Sequence, residues 1–352
     1  MPCTELLLNF HPSGTVTPAQ WGVIQAEGPD AASFLQGQLT HDVLLLPVGQ
    51  ARFAGYCTAK GRLMASFVVL KISADKFLLI CHMDVLAAMV KRLSMFVMRA
   101  KLKLTDVSAH YVLRGLVGDA VSAALPASHN PRPWAVTSSL TPAGTAETSV
   151  PNMNFAIHLY PAMINGSAID RAFWIAPVDQ TLPEAWSAAI AQFPLLRQED
   201  WQLLEVLSGI SMVQAATSEA FVPQMLNYES VDGVSFKKGC YPGQEVVARS
   251  QFRGALKRRA YVVSSEAPLT AGQDIFSDAD KEQACGTVAT AAAYLGSMRA
   301  SDATSSEVVR ASSYWGIVSM QTSAAEQALH AGSADGPSLL VHPLPYPLLE
   351  DI

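Results

Sequence analysis

Hydrophobic and polar positions follow two different periods in the first hundred residues. Apolar runs of strand length predict strands over residues 21–26, 52–57, 63–72, 77–81 and 102–107. Apolar residues recur at three- and four-residue steps after Asp30 and again after Asp84, which predicts two helices with these aspartates as N-caps. The order strand, helix, three strands, helix, strand predicts an antiparallel sheet with both helices on one face, in a ferredoxin-like arrangement.

The middle of the chain repeats this mixture of strands and helices. Strands are predicted over residues 111–117, 155–159 and 173–178, and helices over 183–192 and 200–207. Residues 126–150 are rich in Pro, Ser, Thr, Ala and Gly, which predicts loops around a short strand. We therefore expect a second α+β half like the first.

After residue 259 the pattern changes to short strand-like pieces separated by turn residues. These pieces begin at Tyr261, Asp274, Gly286 and Gly316. No long periodic helix is predicted here, and residues 324–330 leave room for one short helical turn or two. The pattern predicts a small β-barrel or sandwich, with a polar surface loop at 301–306. The α+β region is predicted to span residues 1–255, with its halves meeting near 120–150, and the barrel domain residues 256–352.

Composition narrows the class of protein. A chain of 352 residues, half of them hydrophobic, is long enough for two or three domains. No apolar run reaches membrane-span length and no signal or transit segment is visible, so a cytoplasmic location is expected. Five scattered cysteines without a CxxC pair do not predict a disulfide scaffold or a zinc site.

Charge is uneven along the chain. The net charge of −6 disfavours non-specific binding of nucleic acid, and no RNA-binding motif is visible. However, the segment 237–259 contains seven basic residues against the single carboxylate of Glu245. The segment is predicted to be either a docking face or a solvated rim.

The stretch FKKGCYPGQE, residues 236–245, concentrates the candidate chemistry. Gly239, Pro242 and Gly243 argue against a central strand and predict a tight turn with Cys240 near its apex. If Lys238 and Cys240 project from the same side, the ammonium favours the thiolate. A buried, inert thiol is the alternative, and the residues by themselves leave both open.

Other candidate positions carry weaker signals. Cys57 lies near Lys60 at a turn, where a structural role in the sheet is favoured. Gln38 and Asp42 follow a helix end, and Asp42 either faces a cavity or caps the next turn. No GxSxG, P-loop or strand-associated GxGxxG motif is present, so Ser-His-Asp chemistry cannot be placed from the sequence.

Residues 221–254 closely resemble the YgfZ family of folate-binding, GcvT-like proteins. The family hallmark KGCYxGQE is matched in full by residues 238–245, and the Pro-Gln pair upstream and the Ala-Arg pair downstream match as well. FLQGQLTHDV (34–43) and CTAKGR (57–62) resemble the family's N-terminal pattern. The resemblance implies two ferredoxin-like halves and a C-terminal β-barrel around a central cavity that takes tetrahydrofolate.

The resemblance also implies a role in assembly or repair of iron–sulfur clusters, including those of radical enzymes that modify tRNA. Cys240, with Lys238 beside it, is the implied functional residue. Tetrahydrofolate is expected to bind near the motif, with the glutamate tail drawn to Arg249. The other residues expected to contact the cofactor are Tyr241, Gln244, Glu245, Gln38 and Asp42.

Two alternatives remain at this stage. A true aminomethyltransferase of the glycine cleavage type would need a catalytic acidic residue in the N-terminal half, and its sequence context is not recognisable here. A non-enzymatic adaptor would bind folate and contact iron–sulfur assembly proteins or iron–sulfur enzymes. The sequence therefore leaves open whether the protein is an enzyme.

Overall fold

The computed structural model describes residues 7, 10–125, 132–138, 154–180, 184–252, 256–296 and 313–349. The predicted loop at 301–306 and most of the stretch 126–150 lie outside these ranges.

The first half forms one antiparallel sheet with two helices on a single face, as predicted. The first strand among the described residues is β1 (Gly14–Val16). It is followed by β2 (Trp21–Glu27), helix α1 (Ala31–Gln36), β3 (Ala51–Cys57), β4 (Leu63–Lys71), β5 (Lys76–His82), helix α2 (Met83–Val97) and β6 (Lys103–Asp106). The sheet order is β3-β4-β5-β2-β6. Apolar residues of α1 and α2, such as Leu35 and Leu86, form one core with the outer face of this sheet.

The two predicted helix caps differ from expectation. Asp30 occupies the N-cap position of α1, but its Oδ2 accepts the Lys101 backbone N–H at 2.7 Å instead of a helix N–H. Asp84 lies inside the first turn of α2, whose N-cap is His82. Its carboxylate accepts hydrogen bonds from His82 Nδ1 at 2.6 Å and from the Ala215 backbone N–H at 2.9 Å. Both aspartates therefore join separate segments of the chain.

The second half repeats the topology of the first. It contains β7 (Tyr111–Val117), α3 (Asp119–Ala124), β8 (Val136–Ser138), β9 (Phe155–His158), a hairpin of β10 (Ala162–Ile164) and β11 (Ser167–Ile169), β12 (Arg171–Pro177), α4 (Glu184–Ile190) and α5 (Gln198–Leu207). Its sheet order, β8-β9-β12-β7-β1, matches β3-β4-β5-β2-β6 strand for strand. The position of β6 is taken by β1, so the start of the chain completes the sheet of the second half.

A long connection and helix α6 (Gln244–Phe252) lead into a closed antiparallel barrel. Its strands are β13 (Arg258–Ser265), β14 (Asp274–Ser277), β15 (Gly286–Tyr294), β16 (Ser313–Gln321), β17 (Leu329–Ala331) and β18 (Ser338–His342). The order β13-β16-β15-β14-β17-β18 closes on itself, so the barrel alternative is confirmed. In the stretch 324–330, which leaves room for one or two short turns, a 3₁₀ turn at Thr322–Ala324 leads into strand β17.

The largest core lies where the inner faces of the two sheets meet. Trp21 and Val68 of the first sheet share it with Ile157 and Phe173 of the second, and barrel residues such as Ile317 extend it. The Trp21 and Phe173 rings pack edge to face with centroids 4.9 Å apart. No helix within the described ranges is long and apolar enough to cross a membrane.

Candidate functional site

The cysteine loop, residues 236–243, presents its thiol to solvent. Cys240 is exposed, whereas the other described cysteines, Cys57, Cys81 and Cys285, are buried. Burial raises the pKa of the Cys57 thiol to about 12 and also raises the pKa of Cys81. Since the thiolate is the reactive form of cysteine, Cys240 is the described thiol that is open to reagents and partners.

Lys238 fixes the cysteine loop to the end of helix α1. Its side chain is buried, and its Nζ donates hydrogen bonds to the backbone carbonyls of Gln36 and of Leu39, the latter at 2.6 Å. The ammonium also lies 4.9 Å from the centroid of the Tyr241 ring. The last carbonyls of a helix carry partial negative charge, so they suit a cation in this position.

The inward position of Lys238 changes its expected relation to Cys240. The period-two argument assumed that both side chains project from one side. In the structure the ammonium is buried, whereas the thiol is exposed. Burial lowers the pKa of Lys238 to about 8, while the charges of Asp42 and of a Cys240 thiolate oppose that shift. Lys238 therefore interacts with the thiol electrostatically, and its hydrogen bonds serve to position the loop.

Two glycines lock the cysteine loop onto the turn at residues 58–61. Gly243 has φ +78°, and a Cβ there would lie 2.5 Å from the Cα and N atoms of Gly61. Gly61 itself has φ +72°, and a Cβ there would lie 2.9 Å from Val246 Cβ. Only glycine fits such a close approach with positive φ. The CTAKGR and KGCYPGQE stretches thus form one structural unit.

A second link joins the N-terminal motif to the segment before the cysteine loop. Thr40 Oγ1 donates to the Gly233 carbonyl at 2.6 Å and accepts the Gly55 N–H at 2.7 Å. His41 Nε2 lies 3.1 Å from Asp232 Oδ1. These contacts, absent from the sequence-based prediction, explain why the stretch 34–43 accompanies the cysteine motif.

A small cavity lies between the two sheets, and no residue of the cysteine loop lines it. Its volume is about 30 Å³, enough for one or two water molecules. Aromatic side chains form much of its wall. The lining consists of Trp21, Val68, Trp134, Leu159, Tyr160, Arg171, Phe173, Glu205, Ile210 and Met212. We refer to it as the inter-sheet cavity.

Arg171 brings a positive charge to the wall of this cavity. It is 4% exposed, and burial lowers its pKa to about 10, so it is still a cation at neutral pH. Its Nε donates to the Tyr160 carbonyl at 3.2 Å, and the guanidinium lies 5.2 Å from the Trp201 ring. Its Nη1 has no hydrogen-bond partner among the described residues.

Glu205 lies on the same wall but is already engaged. Its Oε1 accepts hydrogen bonds from the indole N–H groups of Trp21 at 2.7 Å and Trp201 at 2.8 Å. No described carboxylate lies within salt-bridge distance of Arg171. The charge of Glu205 still interacts favourably with the Arg171 guanidinium and opposes the lowering of its pKa by burial. Because Nη1 itself has no hydrogen-bond partner in the described structure, it is suited to an acceptor atom of a ligand.

Comparison with known proteins places the chain in a family. Residues 15–131 match the family described as GCVT N-terminal domain. The tRNA-modifying protein YgfZ of Photobacterium profundum is 32% identical over 251 residues, covering 70% of this chain and 68% of the relative. That of Sodalis glossinidius is 28% identical over 355 residues, covering 99% of this chain and 98% of the relative. This chain belongs to the YgfZ family.

The fold is that of the GcvT-like proteins. The glycine cleavage system aminomethyltransferase T of Bartonella henselae aligns with a TM-score of 0.61, covering 99% of this chain and 90% of that one. Sequence identity in this alignment is 14%, so the likeness shows the fold alone. The predicted α+β class, with two similar halves and a C-terminal barrel, is confirmed.

The residues predicted to bind folate cluster around the cysteine loop, and none of them lines the inter-sheet cavity. Tyr241 is buried beneath Lys238, and Gln244 begins helix α6. Gln38 lies next to the Leu39 carbonyl that Lys238 binds, with its Oε1 buried and lacking a hydrogen-bond partner in the described structure. Asp42 Oδ1 accepts the Leu45 N–H at 2.8 Å, so it caps a turn.

Glu245 and Arg249 occupy the outer surface of α6. They form an exposed ion pair of 2.8 Å, four residues apart. Such exposed pairs contribute little to stability. Arg249, the predicted contact of the glutamate tail, therefore lies on a surface that is separate from the inter-sheet cavity.

The residues of the inter-sheet cavity were missed from the sequence, although a weak signal existed. Arg171 is the one charged residue in the otherwise apolar strand RAFWIAP, and Glu205 lies in the apolar half of helix QEDWQLLEVL. A charge inside an apolar run often marks a buried functional group.

Proposed function

We propose that this protein binds tetrahydrofolate and supports the assembly or repair of iron–sulfur clusters, including those of enzymes that modify tRNA. The relatives in its family are named tRNA-modifying proteins, which supports the tRNA side of the proposal. Titration with tetrahydrofolate distinguishes turnover of the folate from simple binding.

The observation that carries the proposal is the contrast between Cys240 and the other described cysteines. One thiol is exposed at the tip of a loop that Lys238, Gly243 and Gly61 hold rigidly in place. Positioned, accessible thiols suit transient bonding to sulfur or iron species, because the thiolate is both nucleophile and metal ligand. A cysteine with a purely structural role would not need exposure.

The folate part of the proposal rests on the inter-sheet cavity. Arg171 would donate from Nη1 to a ring oxygen or nitrogen of the pterin, and the aromatic lining of the cavity, including Trp134 and Tyr160, would contact the ring. Bound tetrahydrofolate would supply a carrier for one-carbon units. Small-molecule sites usually have about 300–1,000 Å³, so binding requires that the present 30 Å³ cavity widens.

The proposal is tested first by calorimetric titration with tetrahydrofolate. Arg171→Met should weaken binding by roughly tenfold to a hundredfold, since a hydrogen bond from a charged donor contributes about 1.5–3 kcal/mol. Arg99→Met removes the same charge from an exposed position and should bind as the wild type does. Equal affinity of the Arg171 variant and the wild type would refute the cavity assignment.

The role of Cys240 is tested in cells that lack the native protein. Cys240→Ala should fold normally, bind tetrahydrofolate, and fail to restore the activity of an iron–sulfur enzyme that methylthiolates tRNA. Cys285→Ala, at a buried position, is the matched control and should restore activity. Full restoration by Cys240→Ala would end the proposal, and release of a modified folate during the titration would indicate an enzyme.

A further inference from the structure

A groove between helix α6 and the edge of the barrel concentrates positive charge. It has a volume of about 670 Å³. Three cations, Arg249, Lys257 and Arg258, line it, and its described lining contains no carboxylate. Arg249 is also paired with Glu245 on the exposed face of α6, so an anion in the groove would compete with that exposed pair. The remaining lining residues are Val222, Gln224, Met225, Ser250, Leu256, Gln321, Thr322 and Ser323. We call it the basic groove.

The charge of the basic groove is not a general property of the surface. The whole chain carries −6. A larger groove of about 890 Å³, at the edges of the two sheets, combines Lys76 and Lys103 with Glu27 and Asp179, so its charges balance. Part of the basic segment is also unavailable, because Lys238 and Arg259 are buried. The basic groove is therefore a local site for an anionic ligand.

Gln224 gives this groove a second, independent feature. The residue is 1% exposed, and its Nε2 donates to the Val247 carbonyl at 2.7 Å, which fixes the orientation of the amide. Its Oε1 has no hydrogen-bond partner among the described residues. A buried acceptor without a donor is energetically unfavourable. A ligand that places a hydroxyl or N–H group here would satisfy it.

The remaining lining identifies the class of anion. The basic groove offers the hydroxyls of Ser250, Thr322 and Ser323 but no aromatic ring among its described residues. Binding of bases in single strands relies on aromatic stacking, whereas phosphate and sugar contacts come from Arg, Lys, Ser, Thr and Gln. A ribose 2′-hydroxyl is the donor that distinguishes RNA from DNA.

We infer that the basic groove binds the ribose–phosphate backbone of RNA, with its cations facing phosphates and Gln224 Oε1 accepting a ribose hydroxyl. The inference deepens the proposed function and rests on its connection to tRNA. It also gives a role to the Pro-Gln and Ala-Arg pairs that flank the cysteine motif, because Gln224 and Arg249 both line this groove.

The test measures fluorescence anisotropy of a labelled short oligouridylate with the full-length protein in the absence of folate. Three phosphate contacts predict a slope of log K against log salt of roughly −2, or about a tenfold to twentyfold loss between 50 and 200 mM salt. Lys257→Gln/Arg258→Gln should bring the slope to about −0.7. Lys91→Gln/Lys101→Gln removes two exposed lysines elsewhere and should leave it unchanged.

The identity of the ligand is tested with two competitors. The wild type should prefer RNA to the 2′-deoxy strand by about fivefold or more, and Gln224→Met should lose that preference. An unchanged slope in the double variant, no preference for RNA, or tighter binding of an oligoglutamate peptide would each overturn the inference. If Gln224→Met does not fold, the surface double variant and the wild-type preference decide.

The inference and the proposed function fail separately. Arg171→Met should bind the oligouridylate normally, and Lys257→Gln/Arg258→Gln should bind tetrahydrofolate normally. If the wild type binds tetrahydrofolate but not the oligouridylate, the inference about the basic groove is refuted and the proposed folate binding is not.

Discussion

The stability of the fold should depend on pH through Lys238, and Lys238→Met isolates the effect. The side chain is buried among the carbonyls at the end of α1, and burial lowers its pKa to about 8 from an ordinary value of 10.5. Methionine keeps the length of the aliphatic stem and removes the charge.

The direction of the change in stability with pH depends on whether the folded or the unfolded chain binds the Lys238 proton more tightly. Between pH 8 and pH 10.5 the unfolded chain keeps the Lys238 proton while the folded protein releases it. Stability rises with pH wherever the unfolded state binds more protons. The burial penalty is therefore complete below pH 8 and is relieved above it. Linkage gives roughly 2–3 kcal/mol of stability regained by the wild type, relative to Lys238→Met, between pH 7 and pH 10.

Urea denaturation at steps from pH 7 to pH 10 measures this difference directly. All other titrating groups are common to both proteins, so their contributions cancel in the comparison. Lys237→Met is the matched control, because the neighbouring lysine is exposed and stays hydrated in both states. Its stability curve should run parallel to that of the wild type. Parallel curves for Lys238→Met as well would refute the buried-ammonium argument.

Three further predictions follow from the cysteine loop and the barrel. Iodoacetamide should alkylate Cys240 in the native protein and spare the buried cysteines until the chain unfolds, as peptide mass mapping would show. Gly243→Ala should destabilise the fold by roughly 2 kcal/mol or more, while Gly239→Ala, which meets no atom within 4 Å, should be nearly neutral in urea unfolding. Glu229→Ala should lower the free energy of unfolding by about 3–5 kcal/mol, because it leaves the buried charge of Arg259 unpaired. Glu229→Met/Arg259→Met should recover much of that stability.

Each of these has a contrary outcome. Alkylation of Cys57 at the rate of Cys240 would contradict the burial contrast. Equal stability of the two glycine variants would mean that the contact with the turn at 58–61 is unimportant. A double methionine variant no better than Glu229→Ala would indicate that the ion pair is intrinsically stabilising.

Elements set by local pattern were predictable from the sequence. The three- and four-residue apolar steps after Asp84 place a helix where α2 runs, Met83–Val97, and the apolar run 52–57 matches β3 within one residue. The topology of the first half followed from element order. The short strands β17 and β18 were missed, because runs of only three to five residues carry little period-two signal.

The site was less predictable because it depends on long-range contacts. Period two placed Lys238 and Cys240 on one side only if the chain were extended, whereas residues 236–238 form a bend and no strand runs through this loop. The partners of Lys238 are about two hundred residues away. Likewise, the unpaired Nη1 of Arg171 is a property of what surrounds it, which no local pattern encodes.

The pairing of β1 with β7 bears on the order in which the chain can fold. Gly14 pairs with Val117, and Thr15 bridges Leu195, so the opening strand depends on segments translated much later. When the nascent chain has left the ribosome as far as β6, all five strands of the first sheet are available to pair. At that point Gly14–Val16 still lacks its partner strand β7. A recombinant fragment starting at Tyr111 would lack this edge strand and would expose the unpaired backbone of β7. An exposed strand edge of this kind favours intermolecular strand pairing.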